Sequence, residues 1–577
     1  MSAAAAAAGP VPDARGTNLW RADPTLGQLL ALHLPAPLAA HLAPHLDRLG
    51  GLAGDALDAL AGTADRNPPV LHHRDRQGRD RQWIEKHPAY REMERIAFAE
   101  YGLAAMTHRP GVLGWNAPLP PIAKYALTYL FVQAEFGLCC PVSMTDSLTA
   151  TLVRHGDPAL VARYLPGLTA TDLDHLTQGA MFMTEQAGGS DVGRIETVAR
   201  RDGDGWRLWG EKWFCSNADA GLAMVLARPE EAEPGLKGLS LFLMPRLASD
   251  GTPNRYRIVR LKEKLGTRDM ASGEIRLEGA EAHLVGTLGR GFVQMADMIN
   301  LSRLSNGVRA AGMMRRALFE ALHVARHRIA FGRPVIQLPL MRRQLLKLMV
   351  PAEAARSMVF ATAAAMQAAD AGDAEAARRL RILTPLIKFR ACRDARRVTG
   401  DAMEVRGGCG YVEEWSDARL VRDAHLGSIW EGTSNVVALD VVRAIRRSAA
   451  AAALGGDLRQ RLAAMPAALA DRLGEALDRA LAFADRVAQG SDDRDARQAA
   501  TGLYYATAAV LMAEEGARLS QGSAPDARRL VLARLALEHH LTPRDPFAET
   551  GFADETAARL LLDERPVAPA EAAAALA

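Results

Sequence analysis

The stretch SIWEGTSN, residues 428–435, sets a glutamate between an indole and a Gly-Thr-Ser-Asn turn. In open water Glu431 is an ordinary surface charge. Buried beside Trp430 it loses hydration, and a carboxylate whose charge is disfavoured is a stronger base toward a weakly acidic C–H. Gly432 leaves the backbone behind it free for close approach.

Four other stretches carry groups able to hold a planar or phosphorylated ligand. In MFMTEQAGGSDVG, residues 181–193, Gly188-Gly189-Ser190 offers unobstructed amides and a hydroxyl; a plain turn between strands reads the same way. EKWFCSN, residues 211–217, has Trp213 to stack on a ring and Cys215 or Ser216 to donate to it, although a tryptophan in a strand also suits a core. RIAFGRP places Arg328 three residues before Phe331-Gly332, where a guanidinium suits a pyrophosphate or simply solvent. EVRGGCGY, residues 404–411, is a glycine-rich turn or a helix cap.

These stretches must be positioned by several domains, because 577 residues exceed what one core usually supports. Composition is that of a globular protein, 49% hydrophobic and 24% charged, and the 5% aromatic content favours Ala- and Leu-rich helical cores. A net charge of +3 gives no broad footprint for nucleic acid or anionic membrane. Five cysteines without C-x-x-C spacing predict neither a metal site nor disulfides, and suit a reducing cytoplasm. No run of 18 apolar residues predicts a membrane span.

Residues 1–23 read as a disordered leader and 24–177 as a helical domain. Short apolar runs such as LAMVLAR, LSLFLMP and YRIVRL make 178–287 an inserted antiparallel β-barrel or sandwich. Long helical patterns return as a bundle over 288–448, with PLMRRQLLKLMV stopped or kinked at Pro351, and 449–577 is a helical C-terminal extension. The fold class expected is mainly α with a β insert.

The order MTEQAGGSDV, KWFCSN, FGRP, GGCGY, RDAHLGSIWEGTSN, within residues 85–445, resembles the acyl-CoA dehydrogenases, flavoproteins built as helical domain, β domain and helical bundle. Within that family the chain is most similar to the branch of the adaptive alkylation-response protein AidB and isovaleryl-CoA-dehydrogenase-like enzymes. NPPVLHHRDRQG, CPVSMT, RLKEKLGTRDMAS, PLMRR, the tryptophan of IWEG and the helical extension carry that similarity.

The resemblance implies FAD, held by Met183, Thr184, Gly189, Ser190 and Trp213, with Cys215 where relatives have threonine and Ser216 as the alternative donor. Arg328, Phe331, Gly407 and Gly408 match contacts to the adenosine-diphosphate half of FAD on a neighbouring subunit, which implies a homotetramer. Pro339 replaces a glutamine usual in that motif. Thr433 and Asn435 match flavin-contacting positions. Glu431 would take the α-proton of an acyl-CoA thioester while hydride passes to flavin N5, and the electrons would continue to an electron-transferring flavoprotein or to oxygen. Arg303, Trp430 and Gly432 would line the substrate, with Trp430 favouring short or branched chains. Ser302 fills the alternative base position, and Asn300 replaces an acid. An AidB-like flavoprotein associated with DNA and turning over little is the alternative. Residues 446–577 hold 16 Arg, no Lys and 19 Asp and Glu, net −3, which does not favour DNA.

Overall fold

The computed structural model describes residues 11–463, 465–543, 545, 547 and 551–576. The chain divides into two compact units. One comprises Ala56–Pro120 and Glu135–Ser305; the other comprises residues up to Asp55, Pro121–Ala134 and the chain from Asn306 onward.

The first unit is built on seven strands: β1 (Gly179–Phe182), β2 (Val198–Asp202), β3 (Gly205–Ser216), β4 (Leu222–Pro229), β5 (Ser240–Pro245), β6 (Tyr256–Leu261) and β7 (Ser272–Val285). Their order is β1-β4-β2-β3-β7-β5, and β5 also pairs with β4, so five strands close into a barrel. Most pairs are antiparallel, but β1 and β2 each run parallel to β4, because the β2–β3 hairpin returns the chain to its original direction before β4 begins. Alternation along β7 buries Ile275 and Leu277 and exposes Arg276 and Glu278, and the interior also holds Phe182, Trp206, Phe242 and Ile258. The register of β3 against β7 shifts between Lys212 and Cys215. Such a bulge re-aims the side chains next to it, here Trp213 and Phe214.

Four helices, Ala56–Arg66, Pro88–Glu94, Cys139–His155 and Pro158–Leu168, belong to the same unit. The sequence between residues 24 and 177 is not wholly helical: Val70–Arg74 pairs antiparallel with Asp80–Glu85 around a turn at Asp75–Arg79.

The second unit is a helical assembly. Its long members are α1 (Gly291–His327, from Asn306), α2 (Pro339–Asp370), α3 (Ala374–Arg406), α4 (Ser434–Ser448), α5 (Ala467–Gln489), α6 (Ala496–Leu519) and α7 (Arg528–His540). Pro351 does not stop α2, which runs through it for 32 residues. Asp373 caps α3, its carboxylate accepting from the amides of Glu375 and Ala376, and Gly407 at φ 74° ends it. Glycines let the helices approach closely: a Cβ at Gly307 would lie 2.8 Å from Ile387 of α3, and one at Gly312 would lie 2.3 Å from Val132.

Residues 11–23 correct the expectation of a disordered leader; residues 1–10 lie outside the described residues. The Pro12 carbonyl accepts from Arg406 Nη1 at 3.0 Å, and Ala14, Leu19 and Asp23 are buried. Asp23 anchors a buried charge network. Its carboxylate receives Arg356 Nη1 at 2.6 Å, Arg356 also pairs with Glu353, and Arg529 joins Glu353 at 2.6 Å to Glu515 at 2.7 Å. The extension is thereby tied into the bundle: α2 supplies Glu353 and Arg356, α6 supplies Glu515, and α7 supplies Arg529.

Candidate active site

Glu431 lies in the turn leading into α4 and has φ 46°, with Gly432 at φ 98°. A left-handed residue other than glycine costs about 1–2 kcal/mol, so neighbouring contacts must hold it there. Two contacts do so. Asn306 Nδ2 donates to Glu431 Oε2 at 2.7 Å, and Lys388 Nζ donates to the Gly432 carbonyl. Both supports are buried, and the small Gly307 beside Asn306 lets α1 lie against α3, which carries Lys388. The Cys392 thiol of α3 points at the Asn306 carbonyl at 3.6 Å.

Trp430 is half-buried, and its ring faces the fully buried guanidinium of Arg309 at 4.7 Å from the ring centroid. The indole therefore contributes by taking up a cation as well as by excluding water. Glu431 itself is half-buried, and Thr433 and Asn435 are exposed. Ser302 is fully buried on α1; Arg303 is half-buried with Nη1 3.4 Å from Asn300 Oδ1.

Two glycine-rich stretches meet in the same helical unit. Arg328 Nη1 donates to the Arg406 carbonyl at 3.3 Å and lies 3.2 Å from where a Cβ of Gly407 would be; around Gly408 nothing lies within 4 Å of such an atom. Phe331 stands 89% exposed at φ 51°, and Ile329, Leu340 and Tyr411 are exposed as well. Apolar exposure of that kind marks a surface made to be covered.

In the barrel unit the first two predicted motifs come together, the Trp213 amide donating to the Thr184 carbonyl at 2.8 Å. A buried ion pair fixes the loop between them. Lys212 Nζ lies 2.6 Å from Glu185 Oε1, and Glu185 also accepts from Thr197 Oγ1 at 2.5 Å and the Glu196 amide at 2.6 Å. Burial pushes the Lys212 amine down, opposed by Glu185. Met183 and Thr184 are half-buried, and Gly189 and Ser190 are exposed. Gly188 is structural, since a Cβ there would lie 3.1 Å from the Ile195 amide nitrogen, whereas one at Gly189 would only just reach Thr184 at 4.0 Å. Lys262 Nζ sits 3.4 Å from the Trp213 ring centroid.

Cys215 is fully buried. Its thiol is enclosed in the barrel core, where burial pushes its pKa far above that of an ordinary thiol and keeps it protonated. Ser216, half-buried with Oγ 3.5 Å from Ser272 Oγ, is the hydroxyl at this strand end.

Each unit by itself has features that suit part of a flavin dinucleotide: in the barrel unit an open glycine amide at Gly189 and a partly uncovered indole, in the helical unit an open amide at Gly408 and a guanidinium at the edge of a glycine-rich turn. Asn306, Lys388, Arg309, Lys262 and the Glu185–Lys212 pair escaped the sequence reading. Lys388 had a signal, a lone cation in the apolar run TPLIKF, and Asn306 lies one turn beyond the Ser302 position already considered.

Comparison with known proteins gives three family models: the AidB N-terminal domain of the adaptive response protein over residues 10–175, and the acyl-CoA dehydrogenase middle domain over 180–280 and C-terminal domain over 289–446. AidB of Escherichia coli (strain K12) is 35% identical over 402 residues, covering 68% of this chain and 71% of AidB. Acyl-CoA dehydrogenase family member 11 of Caenorhabditis elegans is 32% identical over 438 residues, covering 74% of this chain and 70% of that protein. The crystal structure of C. elegans ACDH-11 in complex with C11-CoA superposes with a TM-score of 0.86 at 27% identity, covering 94% of this chain and 95% of that one.

Proposed function

We propose, from the premise that the chain belongs to the acyl-CoA dehydrogenase family of FAD-dependent oxidoreductases, that Glu431 is the base that begins α,β-dehydrogenation of an acyl-CoA thioester. The carboxylate takes the α-hydrogen as a proton, the β-hydrogen leaves as hydride, and a double bond forms between the two carbons. FAD, when bound, supplies the hydride acceptor.

The observation that carries this reading is the 2.7 Å bond from Asn306 to Glu431, in a turn that Lys388 holds at the next carbonyl. A base gains from being aimed before substrate arrives. The Glu431 main-chain amide, in the same turn, polarises the thioester carbonyl as enolate charge develops, and a donor so placed contributes on the order of 3 kcal/mol. Arg303 and Gly432 line the substrate.

Met183, Thr184, Gly189, Ser190, Trp213 and Ser216 are the flavin-contacting residues of the barrel unit, and Thr433 and Asn435 are those of the helical unit. Arg328, Phe331, Gly407 and Gly408 hold the dinucleotide end presented by a second copy of the chain in a homotetramer. The uncovered Phe331, Ile329 and Tyr411 support that assembly. Trp430, fixed by Arg309, takes up space beside the base and favours short or branched acyl chains.

Anaerobic titration of the yellow protein with CoA thioesters from butyryl and isovaleryl through the C11 chain seen in the C. elegans relative tests the reading. Bleaching of the flavin, strongest with the short and branched members, is expected. No bleaching at any chain length would refute turnover; strongest bleaching at C11 would refute the chain preference alone.

A further inference from the structure

A cavity of about 690 Å³ opens in the helical unit, lined from α3, α5, α6 and the end of α7. Its size is that of small-molecule sites. Five arginines line it, Arg390, Arg393, Arg479, Arg486 and Arg497, and no Asp or Glu does. Elsewhere in this region arginines take acidic partners: Arg446 with Asp493, Arg459 with Asp478, Arg461 with Asp457. At the cavity only Arg390 does, with Asp394. Arg393 reaches a hydroxyl, Ser434 Oγ at 3.4 Å, and Arg479, Arg486 and Arg497 have no carboxylate partner among the described residues.

Three of the five, Arg479, Arg486 and Arg497, come from residues 446–577, where acids outnumber arginines 19 to 16, so composition alone does not gather them. Burial and the repulsion of Arg497, Arg390 and Arg396 together lower the Arg393 pKa, with Asp394 opposing them. Guanidinia pair with phosphate oxygens bidentately, and several converging on one bounded cavity suit a ligand with more than one phosphate. The wall also carries rings: Phe483, half-buried with the Arg486 guanidinium 5.4 Å from its centroid, and His540, stacked on Tyr505 at 3.7 Å and kept neutral by burial, its pKa pushed down to about 3.

We propose that this cavity is a binding site for a nucleotide di- or triphosphate, its phosphates held by Arg393, Arg479, Arg486 and Arg497 and its base set against Phe483 and His540. A bounded cavity lined by five arginines suits a small polyanion better than a nucleic-acid duplex, which needs an extended basic face. The same chemistry is met by a free nucleotide and by the nucleotide end of CoA.

Calorimetric titration of the flavin-loaded full chain with ADP and with inorganic pyrophosphate, at physiological salt, tests this without reference to turnover. Both are expected to bind, ADP more tightly because of its ring. The triple variant R479A/R486A/R497A, three exposed helical positions where alanine favours the helix, is expected to weaken ADP binding about a thousandfold, about tenfold per guanidinium removed. R472A, on the same helix and outside the cavity, should bind ADP as the parent does. The triple lysine variant keeps the charge and loses the fork, and intermediate weakening is expected; it also serves should the alanine variant fail to fold. An acyl-CoA KM unchanged in the alanine variant assigns the site to a free nucleotide, and a KM that rises with the ADP Kd assigns it to CoA. The proposal is overturned by absence of ADP and pyrophosphate binding at millimolar concentration, by binding undiminished in the folded triple variants, or by binding of duplex DNA alone.

Discussion

Replacing Asn306 with alanine removes the side-chain amide that holds Glu431 Oε2 at 2.7 Å and leaves the main chain, including the carbonyl that meets Cys392, in place. A hydrogen bond to a charged group contributes about 1.5–3 kcal/mol. Glu431, at φ 46°, sits in a backbone region that does not hold itself, so loss of that bond releases the carboxylate to other rotamers. Converted to a rate, 1.5–3 kcal/mol is roughly a 10- to 150-fold drop in the reductive step. Asn306 aims the base without performing chemistry, so FAD content and the acyl-CoA concentration for half-saturation should stay near those of the parent while the limiting bleaching rate falls. Stopped-flow measurement at saturating thioester reads both quantities. A limiting rate within twofold of the parent, in protein that retains its flavin, would refute the assignment of Asn306 as the residue that orients Glu431.

Lys212→Met leaves the Glu185 carboxylate buried without its cation, which costs about 3–5 kcal/mol and loosens the loop bearing Thr184, Gly189 and Ser190; purified protein is expected to lose FAD, and full flavin occupancy would count against the role given to that loop. Burial alone would push the Glu353 carboxyl up, but Arg356, Arg529 and Arg528 outweigh it and hold it well below the usual range; Asp23 is lowered the same way by Arg315 and Arg356. Since both carboxyls titrate lower in the folded state than in the unfolded one, near pH 4, the stability they give is complete above that pH and lost as the pH falls below it. Urea midpoints should therefore drop steeply below about pH 4, with Glu353→Gln less stable at neutral pH and less acid-sensitive. Phe331→Asp should leave the lone chain folded, because the ring is 89% exposed, yet break the oligomer in sedimentation velocity; an unchanged sedimentation coefficient would remove Phe331 from any interface.

The mainly helical fold with a β insert was legible because its periods are clean: β7 alternates residue by residue, and α1 repeats its apolar positions over 37 residues. Barrel and sandwich stayed open in the sequence, because the parallel β2–β4 contact joins segments whose partnership no local pattern announces. Pro351 misled because its lost hydrogen bond is absorbed inside a long, packed helix. Glu431, Gly407 and Gly408 stood out through residue type and motif order. Their supports did not, since Asn306, Lys388 and Arg309 act only through tertiary approach that Gly307 permits. The burial of Cys215 was not legible either, because the bulge in β3 changes which residues face inward after Lys212.

The account turns on Glu431 as the group that removes the α-hydrogen, and exchange of that hydrogen measures it without dependence on the electron acceptor. The flavin-loaded protein is incubated anaerobically in D2O with a CoA thioester, and deuterium at the α-carbon is followed by NMR for the parent and for Glu431→Gln. The parent should wash α-deuterium into the thioester and the variant, still carrying FAD, should not; exchange at the parental rate in the variant would contradict the account.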